Sequence, residues 1–267
     1  MRRNRVKQMY RQGETILNGW LSIPSSFSAE IMANQGFDSL TIDMQHGIID
    51  YQIAVTMLQA ISTTTTTPIM RVPWNEPSVI MKALDAGAYG IICPMVNTAE
   101  EARRLVHACR YPPVGGRSWG PSRAILYGGP DYGAYANDEI LVLPMIETAE
   151  GLSNLDEILS VQGIDGVYVG PSDLAFSHGG KAMIDQTEAG AVEVQHRIAR
   201  ACRERSLLAA IHNGTATYAA TMIAAGYDLV TVGSDVRFIS SQATSELRYL
   251  RDRTAALHAI RQEKVRP

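Results

Sequence analysis

The sequence alternates between short apolar runs and helical patterns, and the alternation repeats eight times along 267 residues. Runs such as GIICPM and LVTVG are almost continuously apolar, which is typical of parallel strands buried on both faces. Three helix-to-strand junctions, NQGFDSL, DAGAYGI and AAGYDLV, each place a glycine where a helix should end. Eight strand–helix units in a chain of this length predict an α/β fold, a (β/α)8 TIM barrel that occupies residues 1–267 as one domain.

The predicted strands and helices follow from these patterns. Strands are predicted at residues 15–23, 38–44, 68–72, 90–95, 140–146, 166–169, 208–212 and 228–233. Helices are predicted at residues 25–35, 51–62, 77–85, 99–109, 149–159, 187–205, 215–225 and 240–260. An open doubly wound sheet is the alternative, but no GxGxxG or GxxxxGK[ST] motif follows a predicted strand.

Two predicted loops interrupt the alternation. Residues 111–137 are rich in Gly, Pro and Tyr, and residues 176–186 contain two glycines directly after the sixth strand. Loops of the first length are usually functional or packed against a partner. The longer loop follows the fourth helix, so in a barrel it would begin at the end opposite the site of its own subunit, and it could cover the site of a neighbour.

Composition limits the classes of protein that this chain can belong to. Apolar residues make up 46% and charged residues 19%, and the formal net charge is −3, which is globular and not that of a basic nucleic-acid-binding scaffold. Three scattered cysteines, Cys93, Cys109 and Cys202, suggest neither a disulfide framework nor a CxxC zinc site. No signal-peptide pattern and no long apolar span is present. We therefore expect a cytoplasmic protein without nucleic-acid or membrane partners.

Polar residues cluster at the carboxyl ends of the predicted strands, where barrel enzymes carry their chemistry. Glu147 closes LVLPMIE and Asp173 closes VYVGPSD, so two carboxylates lie at the ends of adjacent strands. Such a pair can hold a hard divalent cation, Mg²⁺ or Mn²⁺, with Co²⁺ as a further candidate. Two alternatives remain open: Asp173 caps a helix while Glu147 pairs with Arg71, or the two acids form a glycosidase-type pair.

Three further residues at strand ends have side chains suited to catalysis. Arg71 ends the run PIMR, where a guanidinium can clamp a carboxylate or stabilise an enolate oxygen, unless it forms only a structural ion pair. His46 follows Asp43 by three residues, and a carboxylate can orient a histidine that acts as a general base. His212 also ends a strand, and a contact with substrate or metal and a purely structural role both remain open for it.

The lysines argue against imine chemistry. The chain has four of them, none at the end of a predicted strand: Lys7, Lys82, Lys181 and Lys264. A Schiff-base aldolase needs a desolvated lysine inside the barrel, so this mechanism is disfavoured.

Several short motifs together resemble a known family. They are GW ending at Trp20, DMQHG at 43–47, RVP at 71–73, KALDAGA at 82–88, IET at 146–148 and GPSDL at 170–174. The same motifs, in this order and at similar spacing, occur in the HpcH/HpaI aldolases, which are metal-dependent pyruvate aldolases. The resemblance extends over residues 13–250.

The resemblance implies a set of roles for residues of this chain. It implies a (β/α)8 barrel whose last helix is exchanged between subunits of a homo-oligomer, a trimer or hexamer. It implies a divalent metal on Glu147 and Asp173, with His46 acting as the base through water and Asp43 orienting it. Asp85 would be a second supporting acid near the site, either of its own subunit or of a neighbouring one. The residues implied to bind substrate are Arg71, Ser172, Pro171 and Trp20.

The function implied by the resemblance is cleavage or formation of the C3–C4 bond of 4-hydroxy-2-oxo acids. The small molecules bound would be a 2-oxo acid such as pyruvate and an aldehyde. Two positions depart from the family pattern: Gln45 stands where Glu is more common, and Met145 where Gln is common. The alternatives are an oxo-acid decarboxylase or another enolate-forming lyase on the same site, and a non-catalytic barrel that binds a metal and an oxo acid.

Overall fold

Eight parallel strands close into a barrel in the order in which they occur along the chain. The computed structural model describes residues 1–265, with side chains for residues 1–255. The strands are β1 (Ile16–Leu21), β2 (Ser39–Asp43), β3 (Thr67–Arg71), β4 (Gly90–Cys93), β5 (Leu141–Ile146), β6 (Gly166–Val169), β7 (Leu208–His212) and β8 (Leu229–Ser234). β8 pairs with β1, with Ile16 beside Leu229, which closes the ring. The predicted (β/α)8 barrel is confirmed, and the open-sheet alternative is wrong.

Helices surround the strands. They are α1 (Arg5–Gln12), α2 (Ser26–Ala33), α3 (Tyr51–Ile61), α4 (Pro77–Asp85), α5 (Ala99–Cys109), α6 (Ser122–Gly128), α7 (Tyr132–Glu139), α8 (Ala149–Ser153), α9 (Leu155–Leu159), α10 (Pro171–Ser177), α11 (Ala189–Glu204), α12 (Ala216–Ala225) and α13 (Asp235–Val265). Among the described residues, no helix is both long and apolar enough to cross a membrane.

Two helices differ from their predicted bounds in an informative way. The predicted helix 149–159 is two short helices, α8 and α9, separated at Asn154, whose backbone leaves the helical region at φ −95° and ψ 14°. The last helix begins at Asp235, five residues before the predicted start. Asp235 accepts hydrogen bonds from the backbone N–H groups of Ser22 and Ile23, which ties this helix to the end of β1.

The predicted loop 111–137 is partly helical, because it contains α6 and the beginning of α7. Two of its four tyrosines are core residues: Tyr111 and Tyr132 pack with Tyr89 and with Ala124 in a separate buried cluster. The glycines and prolines of this segment correctly indicated an irregular path, but they gave no sign that the tyrosines between them would bury and order it.

Apolar side chains fill the barrel interior at the amino end of the strands. Leu141, Leu208 and Leu229 pack inside the ring with Val6 and Met9 of α1, which covers this end. Helix α1 ends at Gly13, whose φ of 71° lies in the left-handed region and lets the chain turn into β1. The amino end is therefore closed by packing, and the carboxyl ends of the strands are left to form a site.

Candidate active site

A cavity of about 310 Å³ opens at the carboxyl ends of the strands. Larger cavities of about 640 and 790 Å³ lie at the amino end of the barrel and between α2 and α13, and they are lined by other residues. The predicted site residues on the walls of the smaller cavity are Trp20, Asp43, His46, Arg71, Glu147, Pro171, Ser172 and Asp173. Residues of the same walls include Ser22, Met145, Tyr168, Gly170, Ile184, His212 and Ser234.

Arg71 is held rigidly at the end of β3. Its Nε donates to Asp43 Oδ1 at 2.8 Å and its Nη2 to Asp43 Oδ2 at 2.6 Å, and its guanidinium lies 4.8 Å from the Trp20 ring centroid. Burial raises the pKa of the Asp43 carboxyl, but the hydrogen bonds and charge of Arg71 outweigh burial and bring it below its ordinary value. The alternative in which Arg71 pairs with Glu147 is wrong, because its carboxylate partner is Asp43.

The Asp43 carboxylate organises the loop after β2 through backbone groups. Asp43 Oδ1 accepts hydrogen bonds from the N–H groups of Gln45 and His46, at 3.0 and 3.2 Å, and Oδ2 accepts from Trp20 Nε1 at 3.2 Å. In the described part of the chain no hydrogen bond joins this carboxylate to the His46 ring. Asp43 therefore places the His46 backbone, whereas we had expected it to orient the imidazole directly.

Glu147 lies deep in the cavity wall with 3% of its surface exposed. Its Oε1 accepts a hydrogen bond of 2.7 Å from the backbone N–H of Met95, a residue whose φ of 56° is unusual for a side chain other than glycine. Burial, the nearby Asp173 charge adding to it, raises the pKa of the Glu147 carboxyl to about 7. The backbone N–H of Met95 thus orients the Glu147 carboxyl group, whose ionised form is poorly stabilised in the absence of a cation.

Space around the second Glu147 oxygen depends on a glycine. A Cβ atom on Gly170 would lie 2.6 Å from Glu147 Oε2 and 3.1 Å from Met145 Cε. Gly170 precedes α10, which carries Asp173 in its first turn, and no side-chain hydrogen bond caps this helix. The alternative in which Asp173 serves as the helix cap therefore has no hydrogen bond to support it.

The two carboxylates fit a hard divalent cation. Among the residues that the structure describes, no group of three or more His, Cys, Asp or Glu side chains is arranged to hold a metal. Glu147 and Asp173 would thus supply two oxygen ligands and leave the other positions to water and substrate, as Mg²⁺ sites commonly do. The buried Glu147, its raised pKa and the cleft kept free by Gly170 agree with this donor set.

Asp85 is not brought into this cavity by its own chain. It ends α4, and a helix that follows a barrel strand runs back toward the amino ends of the strands. There its Oδ1 accepts a hydrogen bond of 2.7 Å from Nη2 of Arg117, whose side chain is fully buried. The resemblance implied a supporting acid in its own or a neighbouring subunit's site; Asp85 does not line the cavity of its own chain, and a place in the site of a neighbouring subunit stays a prediction.

Tyr168 is a wall residue that the sequence analysis missed. Its side chain points into the barrel from β6, and its Oη lies 3.0 Å from His212 Nδ1 and 2.7 Å from Thr231 Oγ1. A signal was available, because a tyrosine in a strand buried on both faces needs a hydrogen-bond partner for its hydroxyl group. His212 packs edge-on against Trp20, with ring centroids 4.7 Å apart.

Known proteins of similar sequence point to one family. The family model HpcH/HpaI aldolase/citrate lyase matches residues 19–241. A hydroxypyruvate/pyruvate aldolase from Rhizorhabdus wittichii is 42% identical over 240 residues, which are 90% of this chain and 96% of the relative. A 4-hydroxy-2-oxo-heptane-1,7-dioate aldolase from Klebsiella pneumoniae is 37% identical over 249 residues, which are 90% of this chain and 94% of the relative.

A solved structure gives the same answer for the fold. The HpcH/HpaI aldolase/citrate lyase family protein from Burkholderia cenocepacia superposes with a TM-score of 0.87 and 32% identity, over 93% of this chain and 99% of that one. The family model matches most of the barrel, and both relatives cover nearly the whole chain. The resemblance drawn from the motifs is thereby confirmed, and the chain belongs to the HpcH/HpaI aldolase/citrate lyase family.

Proposed function

We propose that this protein is a metal-dependent carbon–carbon lyase that cleaves 4-hydroxy-2-oxo acids to pyruvate, or a related 2-oxo acid, and an aldehyde. The observation that carries the proposal is one cavity in which Glu147 and Asp173 lie with the rigidly held Arg71 and with His46. The aldolase names of two relatives at 42% and 37% identity support it.

Glu147 and Asp173 are proposed to hold Mg²⁺ or Mn²⁺, with Co²⁺ as a further candidate. A divalent ion there supplies a Lewis acid for the carboxylate and carbonyl oxygens of a 2-oxo acid. Backbone N–H groups beside Ser172 and Pro171, at the start of α10, would bind the substrate carboxylate. Trp20 forms the wall beside Arg71.

Arg71 is proposed to stabilise the enolate oxygen that develops when the C3–C4 bond breaks. Its guanidinium is fixed by the two bonds to Asp43 before substrate arrives, so little reorganisation is needed. The Asp43 carboxylate neutralises part of the positive charge of Arg71, but it also fixes the orientation of the guanidinium. The remaining N–H groups of Arg71 are those available to substrate.

His46 is proposed to remove the C4 hydroxyl proton through a water molecule. Its backbone is placed by Asp43 at the mouth of the cavity, where the side chain is exposed to solvent. Histidine is the side chain most often used as a general base in enzymes. The proton is returned to C3 of the enolate, which completes the 2-oxo acid.

We also propose a homo-oligomer, a trimer or hexamer, in which α13 is exchanged between subunits. Every residue from Val236 to Ala255 is exposed, including Phe238, Ile239 and Leu250, although a helix with such side chains normally packs against something. The groove of about 790 Å³ between α2 and α13 is lined mainly by apolar residues and suits a helix of a second copy. A cytoplasmic location is proposed because the three buried cysteines are free thiols.

Product analysis tests the proposed reaction. The protein with added Mn²⁺ is incubated with 4-hydroxy-2-oxoheptane-1,7-dioate, and separately with oxaloacetate, and the products are followed by NMR. We expect pyruvate and an aldehyde in equal amounts from the first compound. Carbon dioxide release from oxaloacetate without cleavage of the first compound would instead establish the decarboxylase alternative, and no turnover of either would favour the non-catalytic barrel.

A further inference from the structure

A chain of hydrogen bonds runs through the barrel interior beneath the cavity. It begins at Asn18, whose side chain bonds to hydroxyl groups of Ser39, Thr41 and Thr231, and it continues through Tyr168 to His212. Asn18, Ser39, Thr41 and Thr231 have no exposed surface. Buried polar groups of this kind are costly unless each of them is hydrogen-bonded.

The donors and acceptors can be followed along the chain. Asn18 Oδ1 accepts from Ser39 Oγ at 2.9 Å and from Thr41 Oγ1 at 3.1 Å, so the amide NH₂ of Asn18 donates to Thr231 Oγ1 at 2.9 Å. Thr231 Oγ1 and Tyr168 Oη lie 2.7 Å apart, and Tyr168 Oη lies 3.0 Å from His212 Nδ1; the distances allow either direction of donation. If Thr231 donates to Tyr168, both hydroxyl groups accept one hydrogen bond and donate one. In this direction the last acceptor is an unprotonated Nδ1.

His212 is held as a neutral ring with its other nitrogen toward the cavity. Burial, with the positive charge of Arg71 adding to it, lowers the pKa of His212 to about 4. With Nδ1 accepting from Tyr168, a neutral imidazole carries its proton on Nε2. The ring lines the cavity, and within the described residues no hydrogen bond involves Nε2. This N–H is available to a ligand.

The position of His212 indicates which part of the substrate it meets. The carboxylates Glu147 and Asp173 lie at β5 and α10, and Arg71 lies at β3. Together they would bind the 2-oxo acid end. His212 lies at β7, at the opposite part of the strand order from β3, and its ring packs edge-on against Trp20 at 4.7 Å, while the Arg71 guanidinium lies 4.8 Å from the same Trp20 ring. That side of the cavity is left for the aldehyde portion.

We propose that the buried chain from Asn18 to Tyr168 fixes His212 as the Nε2–H tautomer, and that this N–H binds an oxygen substituent on the aldehyde portion of the substrate. The inference rests on the proposed aldolase function and names its substrate class: aldehydes that carry a hydroxyl or carbonyl oxygen next to the reacting carbon. His212 is then a specificity-determining residue, and Tyr168 is a positioning residue that acts through it.

A pair of aldehydes of equal size tests the substrate class. Glycolaldehyde and propanal differ by a hydroxyl in place of a methyl group, and kcat/KM is measured for each in addition to pyruvate. The ratio of the two values should fall about two- to tenfold in His212→Leu, the worth of one neutral hydrogen bond. His212→Gln, which can place an amide N–H near Nε2, should keep part of the preference. An unchanged ratio in folded His212→Leu protein would overturn the proposal.

NMR spectroscopy of the wild-type protein tests the tautomer of His212 without relying on the activity of any variant. The two ring nitrogens of ¹⁵N-labelled His212 differ strongly in chemical shift according to which one carries the proton, and His212→Gln assigns the signals. We expect Nε2 protonated in the wild type and a mixture of tautomers in Tyr168→Phe. Protonation of Nδ1 in the wild type would mean that the chain runs in the opposite direction, and it would refute the proposal.

Failure of this inference can be separated from failure of the proposed function. Exchange of pyruvate methyl hydrogens for deuterium requires enolate formation but no aldehyde. Exchange by the wild-type protein with an unchanged aldehyde ratio in His212→Leu would refute only the role of His212. Absence of both exchange and cleavage in the wild type would refute the proposed function itself.

Discussion

The carboxylate of Asp43 holds the guanidinium of Arg71 by two parallel hydrogen bonds of 2.8 and 2.6 Å at the ends of adjacent strands. The register of β2 and β3 pairs these two residues directly, so the strands themselves set the geometry of the ion pair. A planar guanidinium bound in this way cannot rotate freely, and its remaining N–H groups point in a fixed direction. This fixed direction underlies the role proposed for Arg71.

Replacing Arg71 should affect both rate and stability. Arg71→Ala is expected to lower kcat by about 10²–10³, the usual cost of one missing oxyanion donor. It should also destabilise the fold by about 3–5 kcal/mol, because the buried Asp43 loses its partner. Activity is measured at a temperature where circular dichroism shows the variant folded.

Arg71→Lys is the matched control for the shape of the side chain. It keeps the charge but cannot form the paired hydrogen bonds, so we expect most of the stability and little of the rate to return. If lysine restored full kcat, charge alone would be sufficient, and the fixed geometry of the guanidinium would have no role in the reaction.

Gly170→Ala should weaken metal binding without unfolding the barrel. The added Cβ would lie 2.6 Å from Glu147 Oε2, so the carboxylate has to move from the position in which it would bind the metal. Displacing a ligand in this way is expected to cost about 10–100-fold in Mn²⁺ affinity. Titration calorimetry on the metal-free protein measures it.

Gly190→Ala provides the control for the added methyl group. A Cβ at Gly190 of α11 meets nothing within 4 Å. This variant should therefore bind Mn²⁺ like the wild type. Equal affinities for all three proteins would show that Glu147 is not a ligand, or that its cleft is loose enough to accept the alanine.

Metal binding should release a proton below neutral pH. In the metal-free protein the pKa of Glu147 is raised to about 7, so this carboxyl is largely protonated at pH 6 and ionised at pH 8. Binding should release about one proton at pH 6 and almost none at pH 8, and apparent affinity should fall about tenfold per pH unit below 7. Calorimetry in buffers of different ionisation enthalpy counts the protons.

The same raised pKa affects the stability of the metal-free protein, with the opposite sign from a salt-bridged acid. Between the ordinary value of 4.5 and about 7, the folded chain binds more protons at Glu147 than the unfolded chain does. Its contribution therefore decreases as pH rises through this window. Denaturant unfolding at pH 5 and pH 8 should show a loss at pH 8 that Glu147→Gln removes; an equal loss in both proteins would assign the effect elsewhere.

The exposed apolar residues of α13 should be needed for assembly. Ile239→Glu places a charge in the groove between α2 and α13 and is expected to lower the mass measured by light scattering to that of a monomer. Leu126→Glu changes an equally apolar, 86% exposed residue of α6 outside that groove and should leave the mass unchanged. A wild-type protein that is already monomeric at micromolar concentration would contradict the proposed exchange.

The sequence predicted the strands well because each is a short, mainly apolar run between helical patterns, and β6 and β7 match their predicted bounds. The sequence also predicted that the residues at the strand ends would line one cavity, because parallel strands bring their carboxyl ends to one face of the barrel. Predictions of side-chain partners were less successful. Asp43 bonds to Arg71 and to the His46 backbone, and no sequence spacing distinguishes these from a bond to the His46 ring.

Asp85 and Tyr168 show why the remaining features were out of reach. The position of Asp85 depends on the direction of α4, and its partner Arg117 comes from a segment that seemed irregular in sequence. A partner for the Tyr168 hydroxyl group could be expected, but His212 and Thr231 could be named as partners only when β6, β7 and β8 were brought together, because they lie 44 and 63 residues away along the chain. Contacts of this kind arise from tertiary packing.

Metal removal and return is the measurement that tests the central claim most directly. Pyruvate release from a 4-hydroxy-2-oxo acid is followed with the protein as purified, after treatment with EDTA, and after addition of Mn²⁺, with Glu147→Gln assayed alongside. The account predicts that EDTA abolishes release, that Mn²⁺ restores it, and that Glu147→Gln releases almost none at the same Mn²⁺ concentration. Release that survives EDTA in both the wild type and Glu147→Gln would contradict it.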